Sequence, residues 1–392
     1  MIVDTKTEAG AYYHAIAKAI STDKFKGAHA IYTPQLLVEE VLGKINLRGN
    51  ILVMFNVEFV VSLVYTYNIA PENITFYSDH NNKSRICSKL GVKYITNLET
   101  DMKFDVVLAN PPYTAENSKI YQHFYNRAVS LLNDQGTIGF VAPFAISRGF
   151  VGRKVGDVTL DCKDLVLLNN DNIKQKHFPQ VGIDNICYLV VKQGYQGLAT
   201  IFSDGGQKQV DLSTLSTFPV VLNDTVLSIV QKCFDNNRNY LRRSNYHKKD
   251  SIKSSKGTFV LTKIKDDQTL EGYHIKSETN AMSGKPRIFI NTLGKRAVVD
   301  YTHEMMMKPN GTTICIETSS DIESENLVYL LENNQNLINF MSKCVIGNAR
   351  SPYDTFLISL KKLDLTKKWT SNKLYKHFGL TDDEISYIES NS

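Results

Sequence analysis

Four consecutive residues, Asn110, Pro111, Pro112 and Tyr113, combine groups that could act on an amine attached to an aromatic ring. The two prolines fix successive φ angles and carry no N–H, so this segment displays carbonyl oxygens without competing donors. We predict that the Asn110 side chain and the Pro111 backbone oxygen accept both hydrogens of the amine. This favours a pyramidal nitrogen that can attack an electrophile. Tyr113 adds a flat ring at the rim of the site, where it would stack on the aromatic ring that carries the amine. The alternative is a simple loop that Asn110 caps and the prolines stiffen.

The elements around these residues predict where they lie in a fold. Short apolar runs at 51–55, 74–78, 104–109, 136–143 and 185–191 are separated by segments long enough for helices. Residues 35–46 have helical periodicity behind Thr33, which can cap, and Pro34, which suits the first helical position. This alternation indicates an α/β protein with a parallel sheet covered on both faces, in which ligands bind outside the carboxyl ends of the strands. Asn110 follows the run 104–109 and therefore stands where a site is expected.

Length and composition limit the class of protein. At 392 residues, with 42% apolar and 22% charged residues, the chain is expected to form two domains, since single cores rarely grow past about 250–300 residues. We expect a soluble, cytoplasmic protein, because no window approaches the roughly 20 apolar residues of a membrane span and the start lacks the layout of a signal peptide. The six cysteines have no metal-ligand spacing, which predicts reduced packing thiols and no metal site.

The net charge of +5 is unevenly distributed. Residues 238–296 contain fourteen Lys or Arg against five Asp or Glu, so the rest of the chain carries −4. Tyrosines lie among these cations, a combination expected where phosphates are neutralised. The alternative is a solvated basic face without a ligand. The candidate DNA contacts are Arg242, Arg243, Lys248, Lys249, Lys285 and Arg287.

The chain resembles the gamma class of S-adenosylmethionine-dependent adenine-N6 DNA methyltransferases, found in restriction–modification systems and phages. NPPY is their catalytic motif, and IYTP at 31–34 resembles the segment that contacts the methionine end of the cofactor. HFPQVGIDNICYLVVK at 177–192 resembles the motif in which an aromatic, here Phe178, packs on the flipped adenine opposite Tyr113. The tail SNKLYKHFGLTDDEISYIES is also similar to the usual ending of these enzymes.

This resemblance implies two domains. Residues 1–205 would form a Rossmann-like methyltransferase sheet with helices on both faces, and residues 206–392 would form a smaller α+β target recognition domain. Phe178 has an alternative interpretation as one more core aromatic among eighteen phenylalanines.

The resemblance also implies S-adenosylmethionine as cofactor. Tyr32, Thr33, Asn56, Glu58, Asp79, Asn97 and Asn110 would bind it, with Asp79 at the ribose and Asn97, or Glu99 nearby, at the adenine amine. One feature departs from the family pattern, because no glycine occurs between Asn56 and Tyr67, where the family has a Gly-rich turn. Glu58 has a second interpretation as a capping or solvated acid of a first helical turn.

Three functions remain open from the sequence. The first is site-specific methylation of an adenine flipped out of duplex DNA. The second is DNA binding by a pseudoenzyme that keeps the base pocket, and the third is methylation of a protein glutamine amide, because such enzymes also use NPPY. Phe178 and the basic second domain argue against the third. We expect duplex DNA and S-adenosylmethionine as partners, no membrane, and a monomer that acts alone or with a restriction subunit.

Overall fold

The computed structural model describes residues 11, 32–78, 84–99, 101–113, 120–151, 161–180, 185–203, 206–215, 217–235, 237, 239–240, 242–243, 246, 251–265, 268–277, 282–291, 295–308, 312–346 and 351–392. The chain divides into two compact units, Met1–Leu215 and Ser216–Ser392. None of the described helices is long and apolar enough to span a bilayer. Five cysteines, at 87, 187, 233, 315 and 344, are buried and free.

The first unit is built on one large sheet. Its strands are β1 Ile51–Met54, β2 Ile74–Tyr77, β3 Lys93–Ile95, β4 Phe104–Ala109, β5 Leu132–Pro143, β6 Leu165–Asn169, β7 Ile186–Lys192, β8 Ala199–Ser203 and β9 Gly206–Val210. They lie in the order β3-β2-β1-β4-β5-β7-β6-β8-β9. Strands β1 to β5 are parallel to one another, whereas β7 is antiparallel to both β5 and β6.

Helices connect these strands. They are α1 Gln35–Leu42, α2 Val57–Tyr65, α3 Ser84–Leu90, α4 Tyr121–Ser130 and α5 Ile173–His177, with 3₁₀ turns at Pro71–Asn73, Phe144–Val151, Cys162–Asp164 and Leu212–Thr214. The strand order reverses between β1 and β4, as in a Rossmann sheet. Right-handed crossovers on either side of this reversal place helices on opposite faces of the sheet. The reversal leaves a crevice at the carboxyl ends of β1 and β4, where ligands bind in such folds.

The apolar runs predicted the strands well, but not their direction. The run 104–109 is β4, and the runs 51–55 and 74–78 contain β1 and β2. The run 185–191 forms most of β7, which is antiparallel and so corrects the expectation of an all-parallel sheet. The sheet also continues through β9, which pairs with β8, so the first unit ends at Leu215 instead of residue 205.

Helix α1 begins without the predicted side-chain cap. Pro34 occupies the N-cap position, and no side chain caps the helix there. Thr33 is fully buried, and its hydroxyl accepts a hydrogen bond from the Asn110 side chain instead. The prediction of Thr33 as the cap is therefore wrong, because its hydroxyl is committed to a residue that follows β4.

The turn after β1 has an unusual backbone. Phe55 adopts a φ of 73°, in the left-handed region that glycine normally occupies, and helix α2 begins two residues later. For a bulky L-residue this conformation costs about 1–2 kcal/mol. The buried ring of Phe55 packs edge-on against Tyr77 at 5.4 Å and Phe124 at 4.4 Å between centroids. The tight turn is thus made without glycine, and aromatic packing offsets its strain.

The second unit is α+β, as expected. Its strands are β10 Arg242–Arg243, β11 Lys253–Ser254, β12 Thr258–Ile264, β13 Leu270–Ile275, β14 Arg287–Asn291, β15 Ala297–Val299, β16 Met306–Met307 and β17 Thr313–Glu317. They form two four-stranded sheets, β10-β17-β14-β15 and β11-β13-β12-β16. The helices are α6 Asp224–Cys233, α7 Asp321–Asn333, α8 Gln335–Phe340, a π-helix at Met341–Ile346, α9 Pro352–Ser359, α10 Ser371–His377 and α11 Asp382–Ser390.

The carboxyl-terminal segment is an integral part of this unit. Helices α10 and α11 correspond to the tail singled out in the sequence, and Thr381 and Glu384 form a capping box at the start of α11. Glu384 also pairs with Lys232 of α6, with an N–O distance of 2.7 Å. The tail therefore docks on the core of the second unit.

The strained turn after β1 gives a test of the backbone. Phe55→Ala and Phe55→Gly both remove the packed ring and should destabilise the chain by about 3–5 kcal/mol. Because φ at this position is positive, we expect the Gly variant to be more stable than the Ala variant by about 1 kcal/mol. Urea unfolding measures the difference.

The matched control is Phe59, a buried residue of helix α2. At position 59 the Ala variant should be more stable than the Gly variant, because alanine stabilises a helix interior by about 1 kcal/mol relative to glycine. An Ala variant at position 55 as stable as its Gly counterpart would contradict the left-handed turn.

Candidate active site

The carboxyl ends of β1 and β4 are joined by a hydrogen bond. Strands β1 and β4 pair in register, with Met54 opposite Ala109, so the next residues of both strands leave the sheet side by side. The Asn110 backbone N–H donates to Asn56 Oδ1 over 3.0 Å, and both residues are buried. The bond lies at the reversal of the strand order. Asn110 is therefore fixed in the crevice predicted from the sequence.

Thr33 contacts the side chain of Asn110, and Glu58 in turn holds Thr33. Asn110 Nδ2 donates to Thr33 Oγ1 over 3.1 Å, and the Thr33 backbone N–H donates to Glu58 Oε1, also over 3.1 Å. Glu58 lies in the first turn of α2 and is buried, which excludes its interpretation as a solvated acid. The structure thus brings together Thr33, Asn56, Glu58 and Asn110, four residues expected to hold the cofactor.

Tyr113 lies inside the site rather than at its rim. Its hydroxyl donates to Asn110 Oδ1 over 2.9 Å, and only 3% of the residue is exposed. Its ring packs edge-on against Tyr121, with 6.5 Å between centroids. Burial, with a smaller contribution from Cys187, raises the pKa of the Tyr113 phenol well above its ordinary value of 10.0. The phenol therefore remains a donor at neutral pH, and the ring expected at the rim of the site is buried.

The NPPY segment keeps an available acceptor. Pro111 and Pro112 are buried and carry no N–H. Among the described residues, none donates a hydrogen bond to the Pro111 carbonyl. Asn110 Oδ1, by contrast, is shared with the phenol of Tyr113. The segment therefore offers one open oxygen and one that Tyr113 occupies.

Phe178 emerges at the same edge of the sheet as Asn110. Strand β6 is antiparallel to β7, and β7 is antiparallel to β5, so β6 runs in the direction of β5 and β4. Phe178 follows helix α5, which comes directly after the carboxyl end of β6. The residue is 5% exposed, and no ring contact joins it to Tyr113 in the described part of the chain. The topology therefore places both aromatics at one edge without stacking them together.

Tyr32 contributes a polar atom whose partner is missing. Its hydroxyl is buried, and no described residue forms a hydrogen bond with it. Burial, and then the negative charge of Glu58, raise the pKa of this phenol above its ordinary value. A buried hydroxyl without a partner is costly, so a ligand that accepts or donates there would be stabilised. Tyr32 and Glu58 together suit the polar end of a small molecule.

The remaining predicted cofactor residues are less defined. Asn97 follows β3 and is exposed, at the same edge of the sheet as the other carboxyl ends, since β3 is parallel to β2. Asp79 follows β2 and lies outside the described residues. The hydrogen bonds described above do not connect Asn97 to Asn110. Their roles at the ribose and the adenine remain predictions.

One predicted DNA contact is wrong. Arg287 lies at the start of β14 and is fully buried. Its Nε donates to Asp300 Oδ2 over 2.8 Å, and its Nη1 donates to the Met282 carbonyl. Asp300 also accepts from the backbone of residues 302, 303 and 305. Arg287 is therefore part of a buried network and is not available to a phosphate.

Arg243 and Lys285 share one carboxylate. Arg243 Nε lies 2.8 Å from Glu317 Oε2, and Lys285 Nζ lies 3.3 Å from Glu317 Oε1. Both side chains are about half exposed, at 48% and 50%, so they can still reach a ligand. The Glu317 charge reduces the field of this pair. The side chain of Arg242, and all of Lys248 and Lys249, lie outside the described residues.

The described surface offers other cations that the sequence did not single out. Lys253, Lys256, Lys263 and Lys276 are exposed on or beside β11, β12 and β13, and none forms a salt bridge with a described residue. Lys253 Nζ lies 5.0 Å from the centre of the Tyr273 ring. The sequence signal that could have indicated these lysines is the charge surplus of residues 238–296. Composition, however, does not show which cations lack a carboxylate partner. We call these four residues the lysine patch.

Comparisons with known proteins show similarity to methylases. Residues 62–174 match the family described as Eco57I restriction-modification methylase. This stretch holds 113 of the 392 residues, including Asn110 and Tyr113 but not Thr33 or Asn56. A protein of Mycoplasma pneumoniae, described as an uncharacterized adenine-specific methylase, is 30% identical over 145 residues. That match spans 33% of this chain and 34% of the relative, so this chain covers about a third of the relative's length.

Two solved structures show broader but weaker similarity. The match to the type IIG restriction endonuclease BpuSI covers 97% of this chain and 68% of the endonuclease chain, with a TM-score of 0.39 and 11% identity. The match to a putative class I S-adenosylmethionine-dependent methyltransferase from Listeria monocytogenes covers 47% of this chain and 67% of the Listeria chain, with a TM-score of 0.35 and 13% identity. The family match and the Mycoplasma relative confirm the predicted resemblance to adenine-specific methylases of restriction–modification systems.

The buried ion pair gives a stability test. Arg287→Met keeps most of the side-chain volume but leaves Asp300 buried without its cation, so we expect a loss of about 3–5 kcal/mol in the free energy of unfolding. Lys285→Met is the matched control. It removes one exposed partner of Glu317 and should change stability by about 1 kcal/mol or less. Equal effects of the two variants in urea unfolding would contradict the structural role of Arg287.

Proposed function

We propose that this chain transfers a methyl group from S-adenosylmethionine to the N6 amine of an adenine in duplex DNA. The observation that carries the proposal is the position of Asn110, which leaves β4 at the reversal of the strand order and is held there by Thr33 and Asn56. The match of residues 62–174 to restriction–modification methylases and the similarity to an adenine-specific methylase support it.

The reaction needs acceptors for an amine. The N6 nitrogen of adenine is a poor nucleophile because its lone pair is delocalised into the ring. Asn110 Oδ1 and the Pro111 carbonyl would each accept one N–H, which favours the pyramidal nitrogen of the transition state. The nitrogen would form a bond to the methyl carbon as the bond between that carbon and the sulfonium sulfur breaks, so the thioether S-adenosylhomocysteine leaves and one N6 proton is lost to solvent. Such preorganised acceptors are worth about 10²–10³ in rate for a single contact.

Tyr113 would have to change its contacts for its ring to stack on a base. Its phenol donates to Asn110 Oδ1 over 2.9 Å, which leaves that oxygen a second lone pair for one N–H of the amine. When the hydroxyl leaves this oxygen, the ring becomes available to stack on the base, which contributes about 1–3 kcal/mol. Phe178 emerges at the same edge of the sheet and is a candidate for the opposite face of the base. The adenine has to leave the helix to reach this site, at a cost of a few kcal/mol.

The residues beside Asn110 fit the polar end of the cofactor. S-adenosylmethionine supplies an electrophilic methyl group on a sulfonium when bound. The Glu58 carboxylate is buried, and the Tyr32 hydroxyl has no hydrogen-bond partner among the described residues. An ammonium group would pair with the first, and a carboxylate would accept from the second. Asp79 and Asn97 would hold the adenosine end, as the sequence predicts.

The second unit is proposed to bind the DNA backbone. The lysine patch provides cations without described carboxylate partners, and Lys253 and Tyr273 combine a cation with an aromatic ring. Arg243 and Lys285 add exposed cations that Glu317 orients. A surface of this kind neutralises phosphates and does not by itself select a sequence.

One observation favours a second function, DNA binding without methyl transfer. The turn after β1 has Phe55 at a φ of 73° where the family has glycine, and the Phe55 ring packs across the ends of β1 and β2. A side chain there limits the close approach of a ligand to the backbone. In this alternative the base pocket is kept but the cofactor does not bind.

Asn110→Ala separates the two functions. If Asn110 accepts the amine, this variant should transfer tritiated methyl groups from S-adenosylmethionine to DNA about 10² times more slowly than the parent. Its affinity for duplex DNA should not change. The matched control is Asn46→Ala, which removes an exposed asparagine of the same unit and should have the parental rate.

Calorimetric titration with S-adenosylmethionine completes this test. Saturating heat with the parent and with Asn110→Ala supports the methyltransferase. A parent that gives no heat at millimolar cofactor and transfers no methyl group would support DNA binding alone. A parental rate in Asn110→Ala would refute the chemistry assigned to this residue.

The salt dependence of binding tests the role of the second unit. Contacts to six to ten phosphates predict a loss of affinity of about 10³–10⁵ between 50 and 200 mM salt. The double variant Lys256→Ala/Lys276→Ala should lower the slope of log K against log salt by about 2. Lys89→Ala, at an exposed lysine of the first unit, serves as the control and should leave the slope unchanged. An unchanged slope in the double variant would exclude this patch.

A further inference from the structure

The hydroxyl of Thr33 is directed at Asn110. Thr33 is fully buried, its backbone N–H donates to Glu58 Oε1, and its Oγ1 accepts from Asn110 Nδ2, both over 3.1 Å. Thr33 directly precedes Pro34, the N-cap residue of α1, and no side chain caps this helix. The hydroxyl therefore serves a residue 77 positions away instead of its own helix.

The direction of the Asn110 amide decides whether it can receive an amine. The Thr33 and Tyr113 hydroxyls can each donate or accept, so their contacts hold the amide in place at both of its ends. In this site Nδ2 faces the Thr33 hydroxyl and Oδ1 faces the Tyr113 hydroxyl at 2.9 Å. An amide that turned away from these contacts would not present its oxygen to an incoming N–H donor.

Asn56 fixes the backbone of the same residue. Its Oδ1 accepts from the Asn110 N–H at 3.0 Å, so the main chain of Asn110 cannot shift without breaking this buried bond. Thr33 and Asn56 thus hold Asn110 at two independent points, the side chain and the main chain. The sequence resemblance implied that both residues bind the cofactor, whereas these atoms are engaged with Asn110.

We propose that Thr33 is a positioning residue that holds the Asn110 side chain in place so that its amide oxygen can receive the substrate amine. This inference rests on the proposed function. If Thr33 acts by orienting Asn110, loss of its hydroxyl lowers the rate of the transfer step and leaves cofactor affinity unchanged. If Thr33 acts as a cofactor ligand, the same change weakens cofactor binding.

A pair of variants separates these two roles. Thr33→Val keeps the shape and removes the hydroxyl, and Thr33→Ser keeps the hydroxyl. We expect kcat of Thr33→Val to fall about 10-fold or more, because the freed amide can turn, while the Kd for S-adenosylmethionine changes less than about twofold. Thr33→Ser should restore kcat to within about threefold of the parent. A parental kcat in Thr33→Val, or an effect confined to the cofactor Kd, would overturn the inference.

A structural readout keeps this test separate from the proposed function. A parent that transfers no methyl group refutes that function, but crystal structures of the two variants still report on Thr33. We expect the Asn110 side chain to turn away from Tyr113 in Thr33→Val and to keep both contacts in Thr33→Ser. An Asn110 amide with unchanged contacts to Tyr113 in Thr33→Val would show that other groups set its direction.

Discussion

The hydrogen bond between the Asn110 backbone N–H and Asn56 Oδ1 is the constraint on which the site depends. It closes the gap between two parallel strands at the position where their order reverses. A buried N–H without a partner there would reduce the free energy of unfolding by about 1–3 kcal/mol. The bond therefore fixes the segments after β1 and β4 relative to each other. Thr33 and Glu58 extend the connection to the segment before α1. Three stretches that are distant in sequence thereby form one buried polar network.

The absence of glycine after β1 changes how this network can meet a ligand. A Gly-rich turn offers backbone N–H groups to a bound molecule, but here Phe55 takes the left-handed conformation and its ring fills the space beside Tyr77 and Phe124. The polar side chains beside this turn in the described part of the chain include those of Tyr32 and Glu58. A pocket of this kind depends on rotamers held by packing, so its affinity responds more to nearby core substitutions than a backbone pocket would.

Much of the fold follows from local sequence signals, and the rest depends on partners far along the chain. The run 104–109 is apolar and ends at Asn110, which was enough to predict β4 and the place of the site. An apolar run has no direction, however, so β7 could not be recognised as antiparallel. Arg287 stands near Lys285 in a basic region, but its carboxylate partner Asp300 lies beyond β15, and only the fold shows that the two are buried together.

The sequence predicted which residues form the site but not the contacts between them. Thr33, Asn56, Glu58 and Asn110 were named from the sequence, and the structure brings them together. The resemblance assigned all four to the cofactor, whereas Asn56 and Thr33 bind Asn110 across 54 and 77 residues of chain. Tyr113 was expected at the rim because aromatic rings can stack there. Its phenol instead finds an acceptor in the core, a contact that residue type alone does not reveal.

The pairing of a hydroxyl with the residue at 110 has a consequence for how this site can vary. A hydroxyl both accepts and donates, so Thr33 is compatible with an amide or with a carboxylate opposite it. An aspartate at position 110 would offer two acceptor oxygens, and Thr33 would become the donor without moving. The backbone bond to Asn56 would be unaffected by that exchange. Position 110 is therefore free to alternate between asparagine and aspartate, while position 33 is restricted to side chains that carry a hydroxyl.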